Sequence, residues 1–368
     1  MEQSTLQRLN DLGDALQALY VPIQITRYTS PLNRAEEKQR LFVAHAAGNE
    51  YNPQYTYEPT PTGWDQPLHS FLATLRPEAN DWEAAIHNDV LRTLVSMQAA
   101  ETHDPALITR ETIRGYGEPS PELVCAAREA LVISSAQPDE RTIPAQEVAD
   151  HMRNALAKAG LTDWGVVITS AMQARMSVRA VEKQVKIHND QFFTDAEVKR
   201  LLVHEIGTHV FRAVNGELEP LRLLRFGFDN YLLTEEGLAT YHETRFGVQN
   251  NEDQRRYALR VLAAHLSLLN SFYEVFCAVV EHTTTEEALE IVTRAKRGFT
   301  DTRVHGAHVK DKVYFEGYQK VSAHLRCHAE DYPLLMCGKV SLEMIPSLEQ
   351  LRKDGLLVEA KYLPEMLM

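Results

Sequence analysis

Cysteine is scarce in this chain. Four residues (Cys125, Cys277, Cys327 and Cys337) form no CxxC pair, so reduced thiols are expected rather than a disulfide framework. Long apolar runs are missing as well, and none approaches the ~20 residues that a membrane-spanning helix requires. The opening MEQSTLQRLNDLGDAL is polar and helical, unlike the apolar core of a secretory signal. A cytoplasmic protein with no membrane partner is the expectation. There is also no excess of positive charge. Lys and Arg total 38 against 51 Asp and Glu, a formal net charge of −13, a balance that neither nucleic acid nor an anionic lipid surface rewards. Any local cluster of cations therefore needs a local explanation.

At 368 residues the chain exceeds the usual single domain, and two lobes are expected. The connection is placed at PDERTIP, 138–144, which makes 1–140 an N-terminal, mainly helical lobe and 141–368 a second lobe with a helical C-terminal part. Leucines at 6, 9, 12, 16 and 19 share one helical face, and Pro22 ends the run. Another helix begins at AEEKQRLF after the turn TSPLN. The proline- and tyrosine-rich stretch 48–67 reads as an extended loop that packs on a surface. Helical patterns return over 77–100 and 121–134. Residues 256–282 are apolar all round and read as one long buried helix. From Trp164 the texture becomes β-branched and alternating (WGVVITS, RMSVRAV, QVKIH), which predicts two or three strands of a small sheet. The end of the chain reads as a short helix, a stop at Gly355 and a final extended segment.

These strands lead into LLVHEIGTHVFRAVNG, 201–216. Thr194 and Glu197 form a T-x-x-E capping box at the helix start, and Asn215-Gly216 supplies a C-terminal stop. His204, Glu205 and His209 lie inside that helix. Zinc peptidases space two histidines four residues apart on one helix, with a glutamate after the first. Here the step is five, which overshoots one turn by roughly 140° on an ideal helix at about 100° per residue. The pair becomes workable only if the turn widens, as in a π-bulge, where i and i+5 come into line. Gly207 between them would tolerate that distortion. A third ligand is sought on a second helix, TEEGLATYHETRF, 234–246. Thr234 is a plausible N-cap there, placing Glu235 and Glu236 in a first turn where the helix dipole favours carboxylates. Glu236 is the candidate ligand because EEGLA resembles the NEGFA segment of M1 aminopeptidases, whose glutamate binds zinc. Glu243, seven residues on, would orient a ligand histidine.

HEIGTH and EEGLA, with RAKRGFTDT at 294–302 and KDKVYFEG at 310–317 downstream, resemble the DUF1704 family of zincins, whose bacterial members carry a QEGLA motif. Its animal members include the microtubule-associated tyrosine carboxypeptidases, which remove the C-terminal tyrosine of α-tubulin. SPLNRAEEKQRLF, NPQYTY and GKVSLEMIPSLEQLRKDGLL extend the resemblance over most of the chain. It implies His204, His209 and Glu236 as Zn²⁺ ligands, Glu205 as catalytic base and Glu235 beside the ligand. The expected fold is then α+β, a mainly helical gluzincin-like metallopeptidase with a small β-sheet beside the HExxxH helix. The expected function is a zinc metallopeptidase, a carboxypeptidase whose substrate is a peptide or protein C-terminus, tyrosine or another aromatic residue included.

A carboxypeptidase must hold its substrate's α-carboxylate, and arginine suits that geometry. Arg294, Lys296 and Arg297 are candidates, although the same three cations could cap the helix opened by Thr284 and Glu287. Lys310 and Tyr314 join them from the second family-like stretch. Tyr314, Tyr241 or His242 could donate to the oxyanion. His282, His305, His308, His324 and His328 share no ligand spacing and read as surface residues. Two other readings stay open. One is a catalytically silent zinc protein with a regulatory or interaction role. The other is a peptidase working from the N-terminus, since dipeptidyl peptidase III also spaces its histidines five apart. Oligomeric state is not legible.

Overall fold

The computed structural model describes residues 1–132, 140–170, 172, 174–228 and 231–367. It is mainly helical with two small sheets. Contacts divide the chain into two units, the first of Met1–Val21, Ala136–Asn250 and Glu316–Met368, the second of Pro22–Ser135 and Asn251–Phe315. The chain therefore passes from unit to unit four times, and a single cut at 140 approximates one of those crossings. Pro138 and Asp139 of the expected connection lie outside the described residues.

In the first unit, helix Gln3–Tyr20 buries Leu9, Leu12 and Leu16. Asn10 pins it by donating from Nδ2 to the Pro220 carbonyl (3.0 Å) and accepting from the Arg222 amide (2.8 Å). β1 (Ile143–Pro144) pairs antiparallel with β5 (Phe192–Phe193). Between them in sequence, β2 (Gly165–Thr169), β3 (Met176–Arg179) and β4 (Gln184–His188) form a sheet with β4 central, parallel to β2 and antiparallel to β3. Val185 and Ile187 alternate into the core, where Val148, Met152 and Leu156 of helix Ala145–Lys158 meet Ile206 and Val210 of the motif segment.

The capping box at Thr194 forms, with Thr194 Oγ1 accepting the Glu197 amide and Glu197 Oε2 accepting the Thr194 amide, both at 3.0 Å. Arg175 (2.7 Å) and Arg141 (3.0 Å) pair with the same carboxylate. Burial alone would raise the Glu197 carboxyl, but Arg175, Arg141 and the Thr194 amide outweigh it and hold it down at about 2. The expected stop at Asn215-Gly216 is not made, since helix Phe211–Leu218 runs through both residues. Tertiary contacts explain them instead. Asn215 donates to the Met336 and Tyr362 carbonyls, and a Cβ on Gly216 would sit 2.5 Å from the Leu224 carbonyl oxygen.

The second unit is helical. Its core joins Leu41, Leu123, Val124 and Ala127 to Leu262, Phe272, Phe276, Leu289 and Val292. The long helix expected over 256–282 is two helices, Asn251–Ser267 and Phe272–Val280. Apolarity hid the break, which is made by polar groups. Asn270 Nδ2 takes the Leu266 carbonyl (2.7 Å), and Ser271 with Glu274 forms a new capping box. The loop at 48–67 packs as expected: the Tyr55 amide donates to Thr300, and its buried hydroxyl meets Thr293 at 3.0 Å. No described helix is long and apolar enough to cross a membrane, and all four cysteines are free.

Candidate metal centre

The motif segment opens as an α-helix over Asp195–Leu201, widens into a π-helix over Leu202–Val210 and returns to α-helix at Phe211. That widening is what a five-residue histidine step requires. The His204 and His209 rings lie on one side with centroids 4.8 Å apart and planes at 81°. Thr208 Oγ1 donates to the Val203 carbonyl five residues back (3.2 Å), closing the widened turn from within. Gly207 faces the end of the chain, and a Cβ there would meet Pro364 at 3.2 Å and Leu367 at 3.3 Å.

The second helix is Tyr231–Arg245. Thr234 is therefore not its N-cap. It lies inside the helix, fully buried, and its hydroxyl accepts the Leu342 amide at 3.0 Å. Glu235, Glu236, His242 and Glu243 are all buried. A close helix crossing fixes their depth, because a Cβ on Gly237 would lie 2.4 Å from Gly317 backbone and one on Gly317 2.2 Å from the Leu233 carbonyl oxygen.

Each histidine is gripped from behind. His204 Nδ1 meets Glu243 Oε1 at 2.7 Å, and His209 Nδ1 meets Glu235 Oε1 at 2.9 Å. A carboxylate on Nδ1 keeps the proton there and leaves Nε2 as the donor atom for an ion. Both Nε2 atoms point at Glu236 Oε2, at 3.5 Å for His204 and 3.6 Å for His209. That oxygen is buried and has no hydrogen-bond partner. Three lone pairs converging in a buried space repel one another unless a cation lies among them. Ligands about 2.0–2.1 Å from a tetrahedral zinc stand roughly 3.4 Å apart, so the separations fit such an ion. All three ligand atoms lie within 4.8 Å of one another, and no other such group occurs among the described residues.

Charge around the trio supports this fit. Arg200 pairs with Glu243 at 2.7 Å, and Gln249 Nε2 donates to its other oxygen at 3.2 Å. Arg212, fully buried, donates to Glu235 and to the Leu335 and Val340 carbonyls, and Lys339 stands 3.6 Å from Glu235. Burial disfavours the ionised carboxylates, yet Arg212 holds Glu235 and Arg200 holds Glu243 down at about 2. Burial likewise opposes imidazolium, but the glutamates push His204 up to about 9 and His209 up to about 10. The carboxylates that raise both imidazoles are the same negative charge that a dication would meet. Glu205 is buried beside the first histidine, and among the described residues its carboxylate accepts no hydrogen bond.

A family model described as microtubule-associated tyrosine carboxypeptidase matches residues 42–368. The chain belongs to this family. Mouse microtubule-associated tyrosine carboxypeptidase 1 is 37% identical over 163 residues, covering 43% of this chain and 33% of that protein. The human protein of the same name is 36% identical over the same length. The mouse putative tyrosine carboxypeptidase MATCAP2 is 29% identical over 214 residues, 55% of this chain and 40% of that protein. The matches therefore span well under half the length of these tyrosine carboxypeptidase relatives.

Against the sequence reading, His204, Glu205, His209, Glu235, Glu236 and Glu243 come together in the first unit, whereas Arg294, Lys296, Arg297, Lys310 and Tyr314 belong to the second. Lys296 is a structural residue. Fully buried, it donates from Nζ to the carbonyls of Ser267, Asn270, Val304 and Gly306 at 2.8–3.2 Å. Its side chain caps no carbonyl of helix Thr285–Ala295, where only its backbone amide does so. The capping box expected there is half made: Thr284 accepts the Glu287 amide, but Glu287 turns to Thr283 and Arg256.

His242 is not placed as an oxyanion donor either. Nδ1 meets Thr208 Oγ1 at 2.8 Å and Nε2 meets the Tyr332 hydroxyl at 3.0 Å. Burial, reinforced by the charges of Arg245 and Arg212, holds it neutral with its pKa at about 3. The sequence reading missed Arg200, Arg212, Lys339, Thr208 and Tyr332. Arg200 and Arg212 carried a usable signal, since both are charged residues on the apolar face of the motif helix. Lys339 and Tyr332 arrive from distant sequence with no local mark.

Proposed function

We propose that this chain is a zinc-dependent peptidase of the gluzincin type that removes residues from the C-termini of peptides or proteins, with tyrosine and other aromatic residues as preferred leaving groups. The observation that carries the reading is the convergence of His204 Nε2, His209 Nε2 and Glu236 Oε2 on one buried point. His204, His209 and Glu236 would hold the ion, and Glu235 and Glu243 would orient the histidines. When bound, zinc supplies a Lewis acid for the scissile carbonyl and lowers the pKa of water from 15.7 to roughly 7. Glu205 takes the proton of the attacking water and delivers it to the leaving amine. Its carboxylate has the freedom for both steps because, among the described residues, it accepts no hydrogen bond. Attack from the C-terminus is supported by membership of the tyrosine carboxypeptidase family.

The test is metal analysis of the purified full chain together with hydrolysis of tyrosine-terminated peptides. One zinc per chain, with hydrolysis abolished by Glu205→Gln while zinc is retained, supports the reading. Chain without zinc, or an unaltered rate in Glu205→Gln, removes it. Stoichiometric zinc with no cleavage of any peptide would favour the silent zinc protein instead.

A further inference from the structure

The second unit holds a charge imbalance that its fold does not offset. Arg260 on helix Asn251–Ser267, with Arg294 and Arg297 at the end of helix Thr285–Ala295, share a single buried carboxylate, Asp311. Arg294 takes it, donating from Nε to Asp311 Oδ2. Arg297 is half-buried and, among the described residues, has no hydrogen bond or ion pair from its side chain. Arg260 also lacks a side-chain acceptor among the described residues. Its guanidinium lies 4.5 Å from the Tyr314 ring centre and 5.5 Å from that of Tyr257, and its buried Nε is unpartnered. The two tyrosine rings stack 5.3 Å apart at 5°.

The electrostatic consequences register on three neighbours. Burial would raise the Asp311 carboxyl, but Arg294, Arg297 and Arg260 together hold it far below the carboxylate range. Arg297 is pushed down by burial and then by the charge of Arg294. His308, expected at the surface, is pushed down to about 3 by burial and then by Arg297, and its buried Nδ1 has no partner. Three guanidiniums face one buried carboxylate, and the exposed Glu290, which also acts on Arg294, is itself paired with Arg34, so positive charge is left over in a chain whose formal net charge is −13. Helix capping does not use them. The Val292 and Arg294 carbonyls at that terminus are taken by the backbone amides of Lys296 and Arg297.

We propose that Arg260 and Arg297 form a carboxylate-binding site, with a peptide carboxylate as its ligand. A planar guanidinium offers the forked pair of donors that a carboxylate accepts, and a partly desolvated one gains most from an anion. Arg294 is already engaged and positions Asp311. The stacked rings of Tyr257 and Tyr314 flank Arg260 with apolar surface, which suits the body of an organic acid and gives inorganic phosphate nothing. The site rests on the charge balance of the second unit. The choice of a peptide as the bearer of the carboxylate rests on the peptidase reading, and the experiment separates the two.

Fluorescence anisotropy on the full-chain Glu205→Gln protein would compare three labelled peptides of one sequence: a free C-terminus, an amidated C-terminus, and an amidated peptide carrying one internal glutamate. The free peptide is expected to bind at least about tenfold more tightly than the amidated one, as a charge-assisted forked pair implies. Recovery of affinity by the internal glutamate would assign the site to side-chain carboxylates, and no recovery would assign it to the α-carboxylate. Arg297→Gln and Arg260→Gln should each erase the discrimination in protein that still unfolds cooperatively. Equal affinity for all three peptides in the parent protein overturns the proposal without recourse to any site variant. So does discrimination that survives both substitutions, or displacement by inorganic phosphate at concentrations where acetate has no effect. Failure of the unsubstituted chain to cleave, with discrimination intact, would remove the peptidase reading and leave this site standing.

Discussion

Glu236 shows how a single atom directs the chemistry. Its Oε2 is sealed from solvent, without a hydrogen bond, and faced by two imidazole nitrogens, an arrangement that costs free energy until a cation enters. Glu235 and Glu243 act one bond further out through Nδ1. Glu235→Gln and Glu243→Gln are therefore expected to weaken zinc binding by about 10–100-fold each, measured by competition with a chelator of known affinity. Unchanged zinc affinity in both would show that the carboxylates do not orient the histidines. Glu205→Gln belongs to the other class. Zinc affinity should hold while kcat falls by about 10²–10⁴-fold, the size of a lost general base, as steady-state kinetics on metal-loaded protein would show.

At the scale of elements, the π-helix Leu202–Val210 is the feature to explain. Three links tie it to helix Tyr231–Arg245: His204 to Glu243, His209 to Glu235, and Thr208 to His242. The third touches no candidate ligand, yet it sits at the widened turn and is backed by Tyr332. Thr208→Val keeps the shape, removes the hydroxyl and leaves buried polar groups unpaired, a loss of about 1–3 kcal/mol in chemical denaturation. Thr208→Ser should recover most of it. Gly317→Ala tests the helix crossing. Its Cβ would fall 2.2 Å from the Leu233 carbonyl oxygen, and backbone cannot yield as a side chain does. Destabilisation of roughly 1–3 kcal/mol or more is expected, with weaker zinc binding because Glu236 rides on the displaced helix. An alanine variant with normal stability and zinc affinity would contradict the crossing.

Much of this was legible in the residues. The five-residue step demanded a widened turn, and the EEGLA segment supplied the carboxylates that the structure brings to the histidines. Thr194 and Glu197 announced the helix start, and the alternation after Trp164 announced the strands. The misreadings share a cause. Asn215-Gly216 and Thr234 carry a local signal of a stop and a cap, and in each a tertiary partner takes the group instead: the Met336 and Tyr362 carbonyls, and the Leu342 amide. The structural role of Lys296 was invisible for the same reason, since its four carbonyl acceptors lie at a helix end and on loops that sequence spacing does not join.

For the whole molecule, two carboxyls set opposite slopes of stability with pH. Glu197 is held at about 2 against an ordinary 4.5, so its contribution is full above pH 4.5 and is lost as pH falls through about 2. Glu219 is raised to about 7 by burial, relieved only by the Val358 amide. The fold favours its protonated form, and stability drains as pH rises from 4.5 through about 7. Denaturation of Glu219→Gln should show a gain over the parent at pH 8 and none at pH 4, whereas Glu197→Gln should lose stability at pH 7 and converge on the parent as pH approaches 2. Reversed signs would contradict both assignments.

Whether the His204–His209–Glu236 centre with Glu205 trims C-termini is decided by mass spectrometry of a diverse peptide library incubated with the zinc-loaded chain and, in parallel, with Glu205→Gln. Products shortened by one C-terminal residue are expected, most readily where that residue is tyrosine or another aromatic, and absent with Glu205→Gln and after chelation. Dipeptides released from N-termini, internal cuts, or products that persist in Glu205→Gln would contradict that expectation.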